Sequence, residues 1–213
     1  VYTFIFVDRQ LLSILQEAIK AELLLSDAQL GLLTGFAFAM FYVTAGVPIA
    51  RFADRSNRRN IVAASVGLWS FMTAISGFVQ NYTQLLLARI GVGIGEAGGS
   101  PPSHSIISDL YPKEERAGAL GIYALGIPFG IMAAYMATAW LMGASGETVN
   151  WRRIFIILGA VGVGLAVIVR LVLREPTRGA MELENYDQVV KPSFNESLKT
   201  LIKIPAWWSM CLG

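Results

Sequence analysis

The sequence of 213 residues is poor in charged side chains, cysteine and histidine. Asp, Glu, Lys and Arg make up 15% of it, against roughly 25% in ordinary soluble domains. Cys211 is the only cysteine and His104 the only histidine, which excludes a disulfide framework within the chain and a Cys/His metal site. A nucleophile with a neighbouring base is also hard to assemble from these residues. We therefore expect no enzyme, no metal and no other cofactor.

Apolar residues, in contrast, make up 54% of the chain. Runs of about 20 apolar residues recur along it, which is the length of a helix that spans a bilayer. The small net charge of +2 gives no reason to expect a nucleic-acid partner. The sequence predicts an all-α, polytopic membrane protein, with Ser26 or Asp27 as the cap of its second helix. The predicted membrane segments are 1–20, 28–50, 60–80, 82–107, 117–142 and 152–173.

The domain organisation follows from these segments and from one long polar stretch. Residues 1–173 are predicted to form an N-terminal six-helix bundle, 174–204 a cytoplasmic linker, and 205–213 the start of a seventh membrane helix. The chain begins and ends inside apolar runs. We therefore expect a second half of similar size beyond Gly213, and a bundle that is one half of a longer, monomeric protein.

The distribution of Lys and Arg predicts the orientation, because cytoplasmic loops retain positive charge. The opposite side carries only Lys20, Arg152 and Arg153. The predicted cytoplasmic side carries twelve such residues: Arg51, Arg55, Arg58, Arg59, Lys113, Arg116, Arg170, Arg174, Arg178, Lys191, Lys199 and Lys203. The N-terminus is therefore also expected on the cytoplasmic side.

Four charged residues, Asp8, Arg9, Arg89 and Glu96, lie well inside predicted membrane segments rather than near their ends. Asp8 and Arg9 lie about 18 Å from the outer boundary, and Glu96 lies about 21 Å past Tyr82, at a compatible depth. Such groups cost about 2.5 to 3.5 kcal/mol each unless they pair or face water, so we expect them to face the bundle interior. Arg89 is two turns before Glu96 and shares its face. A static ion pair of Arg9 with Glu96, and a snorkelling Arg89, remain alternatives.

A further hypothesis links these charges to protons. Asp8 and Glu96 could share Arg9 in a way that depends on protonation and on which side the cavity faces. His104, near the end of the fourth segment, also titrates near physiological pH, but a hydrogen-bonded interior histidine is the preferred interpretation.

The loop between the second and third segments, residues 46–59, contains Asp54 followed by Arg55, Arg58 and Arg59. It resembles the signature loop of the major facilitator superfamily, with Ala50 and Asn57 where the common form has glycine. Physically it could act as a cytoplasmic latch, since Asp54 can meet a helix N-terminus and the arginines can pair with acids or anionic lipid. Asp109 and Arg116 are the candidate partners. Positive-inside topology alone is the alternative explanation of the arginines.

Other motifs extend the resemblance over the whole chain. They are residues 89–97 in the fourth segment, Trp151 to Phe155 at the start of the sixth, and Arg174, Glu175 and Pro176 at its end. With Asn57, Asp8 and Arg9, these residues resemble the Spinster branch, specifically a bacterial relative.

The resemblance implies a transporter of the bacterial inner membrane that works by alternating access. Such transporters are often coupled to an ion gradient, and here we expect protons as the coupling ion and a lysolipid-like or sphingoid-phosphate-like solute. A multidrug or organic-anion transporter of the same superfamily is the first alternative. A structural or lipid-sensing membrane module is the second, which the buried charges disfavour.

Overall fold

A computed structural model describes residues 1–143, 150–181, 200, 202–204 and 208. The chain divides into two compact units, Val1–Met181 and Glu182–Gly213. Within the second, the indole Nε1 of Trp208 donates a hydrogen bond to the carbonyl of Ile202 at 2.8 Å. Most of the predicted linker and seventh helix lies outside the described residues, so those two boundaries stay predictions.

The first unit is built from helices. In chain order they are α1 (Tyr2–Leu23), α2 (Asp27–Gly31), a π-helical segment (Leu32–Phe36), α3 (Ala37–Ala53), α4 (Arg58–Ser76), α5 (Tyr82–Ala97), α6 (Ser100–Leu110), α7 (Lys113–Ala124), α8 (Gly126–Gly143) and α9 (Trp151–Val172).

These elements form six long helical segments over residues 2–143 and 151–172, one for each predicted membrane segment, and we call these segments rods. The second rod runs through α2, the π segment and α3, while α5 with α6 and α7 with α8 make the fourth and fifth. The fourth rod is interrupted at Gly98 and Gly99, before two prolines in the first turn of α6. The predicted all-helical membrane fold is confirmed, and its rods start or end within a few residues of the expected positions.

Side-chain caps define where several rods begin. Ser26 and Gln29 form a capping box at the start of α2, as expected for Ser26. The side chains of Asn57, Asn81 and Asn150 accept backbone N–H groups at the starts of α4, α5 and α9. Each cap satisfies a donor that the first turn leaves unpaired, which fixes where the helix begins after a short loop.

The outer surface of the bundle is apolar, as expected for a surface in contact with lipid. Large apolar side chains point outward, and Leu171, Ile122 and Trp140 are more than 70% exposed. By length and composition, three rods of the described part could cross a membrane: Asp27–Ala53, Lys113–Gly143 and Trp151–Val172. The helix α1 is as long as α9 but carries Asp8 and Arg9 about a third of the way along it. The sequence therefore forms an apolar exterior around a partly charged interior.

Two apolar clusters fill the bundle at successive levels of α1. Leu11, Leu15 and Ile19 belong to one, and Ile5 belongs to the other, with Trp69. The main helix contacts are α1 with α8, α4 with α5 and α9, and α3 with α5. Asp8 and Arg9 follow Ile5 and precede Leu11, so these two charged residues of α1 lie where the two clusters meet.

Close helix approach at Gly159 predicts a measurable loss of stability on substitution. A Cβ at Gly159 of α9 would lie 2.6 Å from the Cα of Ala74 in α4, a backbone atom that cannot move aside alone. Gly159→Ala should therefore lower the free energy of unfolding by about 1 to 3 kcal/mol. Gly164→Ala, on the same helix with nothing within 4 Å of the new atom, is the matched control. Thermal unfolding in detergent that treats the two variants alike would contradict this packing.

Candidate functional site

The first part of the candidate site is a buried ion pair between α1 and α5. The Nη1 atom of Arg89 lies 3.4 Å from Oδ2 of Asp8, and the hydroxyl of Thr73 in α4 donates to Oδ1. The Asp8 and Arg89 side chains are 2% and 4% exposed. Arg89 therefore points into the bundle, which excludes the snorkelling alternative for it in this structure.

The second part is the contact of Arg9 with Glu96. Arg9 Nε donates to Glu96 Oε2 at 2.7 Å, and the two side chains are 31% and 0% exposed. The other carboxylate oxygen, Oε1, is buried and has no hydrogen-bond partner among the described residues. An ionised carboxylate that is buried with one oxygen lacking a hydrogen-bond donor carries a free-energy cost of desolvation. The arrangement can accept a proton at Oε1 without breaking another hydrogen bond.

The four charges are thus divided into two pairs, Asp8 with Arg89 and Arg9 with Glu96, whereas the hypothesis from sequence had both acids share Arg9. The physical reason is that neighbours on a helix diverge by roughly 100°. Asp8 faces the packed interior, and Arg9, whose side chain is 31% exposed, faces the more open side. The depth of Glu96 brings it to Arg9, as its distance from the helix start had indicated.

Small residues of α5 let the neighbouring rods come close enough to build the site. A Cβ at Gly95 would lie 2.7 Å from the backbone nitrogen of Trp69 in α4. One at Gly93 would lie 3.1 Å from the carbonyl oxygen of Phe38 in α3. Glycine at these positions permits the contact of α5 with both helices. The pattern of alternating glycine before Glu96 therefore has a packing reason next to the charged pair.

Aromatic rings surround the guanidinium of Arg9. Its Cζ lies 5.5 Å from the ring centre of Phe6, and 5.1 Å from those of Phe38 and Tyr42. The Phe38 ring is also 5.9 Å from Cζ of Arg89. Cations over aromatic faces at these distances are attracted by the ring quadrupole. The three rings were not expected from the sequence, where they were part of ordinary apolar runs.

A second charged cluster lies at the other candidate region, the arginine-rich end of the bundle. Arg58 is 1% exposed and forms ion pairs with Asp109 of α6 and Glu175. Its Nε donates to Glu175 at 2.8 Å, and its other nitrogens donate to Ser105 at 2.8 Å and to the carbonyl of Pro176 at 3.0 Å. The guanidinium thus joins α4, α6 and the segment after α9.

The segment after α9 closes over the same end. The backbone N–H of Gly179 donates to Asp109 at 3.0 Å, and that of Arg59 donates to Glu175 at 2.7 Å. Arg178 donates to the backbone carbonyls of Ala53, Asp54 and Ser56. The start of the predicted linker is therefore bound to the loop between α3 and α4.

The predicted motif residues differ in burial. Arg58 meets the acid Asp109, which was one of the two candidate partners. Asp54 and Arg55 are exposed, and Arg178 meets the carbonyl oxygen of Asp54 rather than its carboxylate. Arg116 donates to the carbonyl of Tyr111 at 3.1 Å. The contact of Asp54 with a helix N-terminus stays a prediction.

Three contributors were not predicted. Thr73 is a small polar residue within an apolar run, and a hydroxyl in such a run was the only available signal. Glu175 belongs to a motif that was noted, but its partner is 117 positions away. Arg178 lies in a polar stretch that gave no signal. His104 was expected in the interior, but it is exposed, with its ring centre 5.3 Å from that of Tyr123. Its place near the end of the fourth rod leaves it outside both clusters.

Comparison with known proteins identifies a family for the whole chain and relatives of most of it. The family model of the Major Facilitator Superfamily matches residues 1–213. An "MFS-type efflux pump" of Mycolicibacterium smegmatis is 39% identical over 80% of this chain and 39% of its own length. A "Probable L-galactonate transporter" of Escherichia coli is 33% identical over 76% of this chain and 35% of its own length. The chain thus spans less than half the length of these relatives.

A solved structure gives a similar backbone. It is a bacterial homolog to the human lysosomal transporter Spinster, in an inward-facing and occupied conformation. It is 42% identical, covers 85% of this chain and 44% of its own, and superposes with a TM-score of 0.78. The resemblance to bacterial Spinster relatives that the motifs predicted is confirmed.

Proposed function

Because the chain belongs to the major facilitator superfamily, we propose that it forms the N-terminal half of a proton-coupled secondary transporter. The family is one of transporters, which confirms that the chain is not an enzyme. By this proposal, the bundle moves against a second half, and the central cavity opens alternately to the two sides of the membrane. The whole protein moves an amphipathic or lipid-like solute.

The observation that carries the proposal is the ion pair of Arg9 and Glu96, which lie well inside their rods rather than at the ends. Charges at such depth are expensive in a bundle that only needs to pack, because apolar residues of similar volume would cost less. Both a structural module and a lipid sensor could dispense with them. A transporter has a use for them, since a proton-binding carboxylate within a cavity can couple an ion gradient to motion.

The coupling step follows from the contacts of Glu96. As a carboxylate it holds Arg9 at 2.7 Å, and its free oxygen is available for a proton. Protonation removes the negative charge, which weakens the hold on Arg9 and changes the relative stability of the inward-open and outward-open states. If the two states expose Glu96 to different compartments, proton binding and solute movement become linked. Asp8, held by Arg89 and Thr73, is the second carboxyl that could carry the proton.

The proposed solute class rests on the resemblance of this chain to Spinster relatives. One of them, of solved structure, is described as a bacterial homolog to the human lysosomal transporter Spinster. A lysolipid or sphingoid phosphate is the proposed type. A multidrug or organic-anion substrate is the second candidate, because an efflux pump and a galactonate transporter are also similar to this chain. The apolar faces around Arg9 suit an amphipathic solute in either case.

The arginine-rich end is proposed to face the cytoplasm of a bacterial cell, in the inner membrane, with the protein as a monomer. The excess of positive residues at that end supports this orientation. The cluster of Arg58, Asp109 and Glu175 would then stabilise the cytoplasmic end of the bundle. Asp54, Arg55, Arg59 and Arg116 are proposed to belong to the same cytoplasmic gate motif, with contacts to the second half and to anionic lipid.

Transport by the full-length protein in proteoliposomes tests the proposal. We expect uptake of a lysolipid or sphingoid phosphate that a proton gradient accelerates and a protonophore slows, relative to protein-free liposomes. The same screen should include unrelated drugs and sugar acids, with and without the gradient. Movement of those compounds alone would favour the second candidate. Solute movement that no gradient changes would contradict proton coupling, and no movement of any class would contradict a transporter.

A further inference from the structure

The surroundings of the Arg9 guanidinium are made by residues of three helices. Phe6 comes from α1, Phe38 and Tyr42 come from α3, and Glu96 comes from α5. The rings of Phe38 and Tyr42 are stacked, with centroids 5.7 Å apart. We call Phe6, Phe38, Tyr42 and Glu96 the aromatic box. It combines three ring faces with one carboxylate oxygen at 2.7 Å from the bound cation.

The chemistry of the aromatic box selects a particular kind of ligand. Aromatic faces attract weakly hydrated cations, and a carboxylate accepts N–H donors in its plane. A guanidinium satisfies both, because it is planar, delocalised and less strongly hydrated than an ammonium group. The Cζ atom of Arg89 lies 5.9 Å from the Phe38 ring centre, but Arg89 is paired with Asp8. Among the described residues, the aromatic box therefore binds one cation, the guanidinium of Arg9.

The backbone of the second rod sets the position of two of the rings. The π segment Leu32–Phe36 ends directly before α3, where Phe38 occupies the second position. One extra residue in a helical turn rotates the following residues by about 100°. Gly93 of α5 then allows the Phe38 backbone to approach closely. The position of the Phe38 ring is thus set by the backbones of α3 and α5.

The box is also open on one side. The Arg9 side chain is 31% exposed, and Phe6, Phe38 and Tyr42 are only partly buried. We propose that the aromatic box is a binding site for a planar organic cation of the guanidinium class, and that Arg9 is its tethered occupant. An external guanidinium compound would compete with Arg9 for the same rings and the same carboxylate. The proposal concerns the pair used in the proposed function, but it requires binding only and not transport.

Removing the tethered occupant gives the test. In the full-length protein in detergent, methylguanidinium binding is measured by ligand-observed NMR for the parent and for Arg9→Ala. We expect binding at least about ten-fold tighter in the variant, because the tethered group no longer competes. Adding Phe38→Leu should weaken binding to Arg9→Ala by about ten-fold. Arg9→Gln, which keeps two methylenes of the side chain and removes the guanidinium, serves if Arg9→Ala does not fold.

The control is Phe36→Leu in the Arg9→Ala background. Phe36 is on the same rod but 66% exposed, so this change should leave binding as it is. Ethylammonium at equal ionic strength should bind more weakly than methylguanidinium. Equal binding by the parent and the variant, or equal effects of Phe36→Leu and Phe38→Leu, would overturn the proposal.

The outcome for transport is read separately. If methylguanidinium binds Arg9→Ala but no proton-driven transport occurs in any form of the protein, the proposed function fails and the box stands. If the parent transports and the variant does not bind methylguanidinium, the box fails and the proposed function stands. Recovery of transport by Arg9→Ala at saturating methylguanidinium would support both.

Discussion

Replacing Glu96 by glutamine should abolish the response of transport to a proton gradient. Glutamine has the shape of the protonated acid and cannot ionise, so the variant is fixed in one of the two charge states. The ratio of uptake rates with and without the gradient should fall to about one, because the coupling free energy between proton and solute is lost. The measurement is uptake into proteoliposomes at fixed solute concentration, with the internal pH set in advance.

The same variant should still fold. Glu96 is buried at a contact with Arg9, but Arg9 keeps its three aromatic neighbours, and glutamine can still accept a hydrogen bond at one oxygen. Glu17→Gln is the matched control, since Glu17 is an exposed acid on α1 and should leave the gradient response unchanged. Equal thermal stability of the variants and the parent would separate a coupling defect from unfolding.

Asp8→Asn then identifies the carrier. Asp8 is bound by Arg89 and Thr73, whereas Glu96 has an oxygen without a partner among the described residues. We therefore expect the larger loss of gradient response from Glu96→Gln. A complete loss from Asp8→Asn alone would move the proton-binding role to Asp8. If both variants respond to pH like the parent, the four charges are structural and the coupling proposal fails.

The depth of these residues could be predicted from the sequence, but their pairing could not. The rise per residue along a helix places Arg9 and Glu96 at compatible depths once the loops are recognised. Pairing depends on the rotation of each rod about its axis. That rotation is set by contacts such as Gly95 against Trp69 and by the π segment, neither of which has a simple sequence signal. The two separate pairs, with Asp8 bound by Arg89, therefore required the structure.

The arginine-rich loop shows a similar limit. Its composition predicts the side of the membrane and a family, because charge distribution needs no tertiary information. It does not distinguish the buried Arg58 from the exposed Arg55, three residues earlier. That difference is decided by Asp109 and Glu175, which lie 51 and 117 positions away. Long-range partners of this kind are fixed only when the rods have packed.

Loss of the Arg58 side chain should destabilise the bundle more than loss of any exposed arginine. Arg58→Leu leaves Asp109 and Glu175 without the cation that bridges them, and Asp109 is only 8% exposed. Breaking a buried ion pair by removing one partner costs about 3 to 5 kcal/mol, because the remaining charge is uncompensated. Thermal or denaturant unfolding in detergent measures the effect. Arg55→Leu should change stability by less than about 0.5 kcal/mol, since Arg55 is exposed.

Two further variants separate charge from geometry in the same cluster. Arg58→Lys keeps the charge but not the planar fork that contacts Asp109, Glu175 and Ser105, so most of the stability loss should persist. Adding Asp109→Leu to Arg58→Leu removes one of the two unpaired acids and should restore part of the loss, which a double-mutant cycle measures as coupling. If Arg58→Leu and Arg55→Leu are equally mild, the cluster is not a support of the fold, and its conformational role must be sought in contacts with the second half.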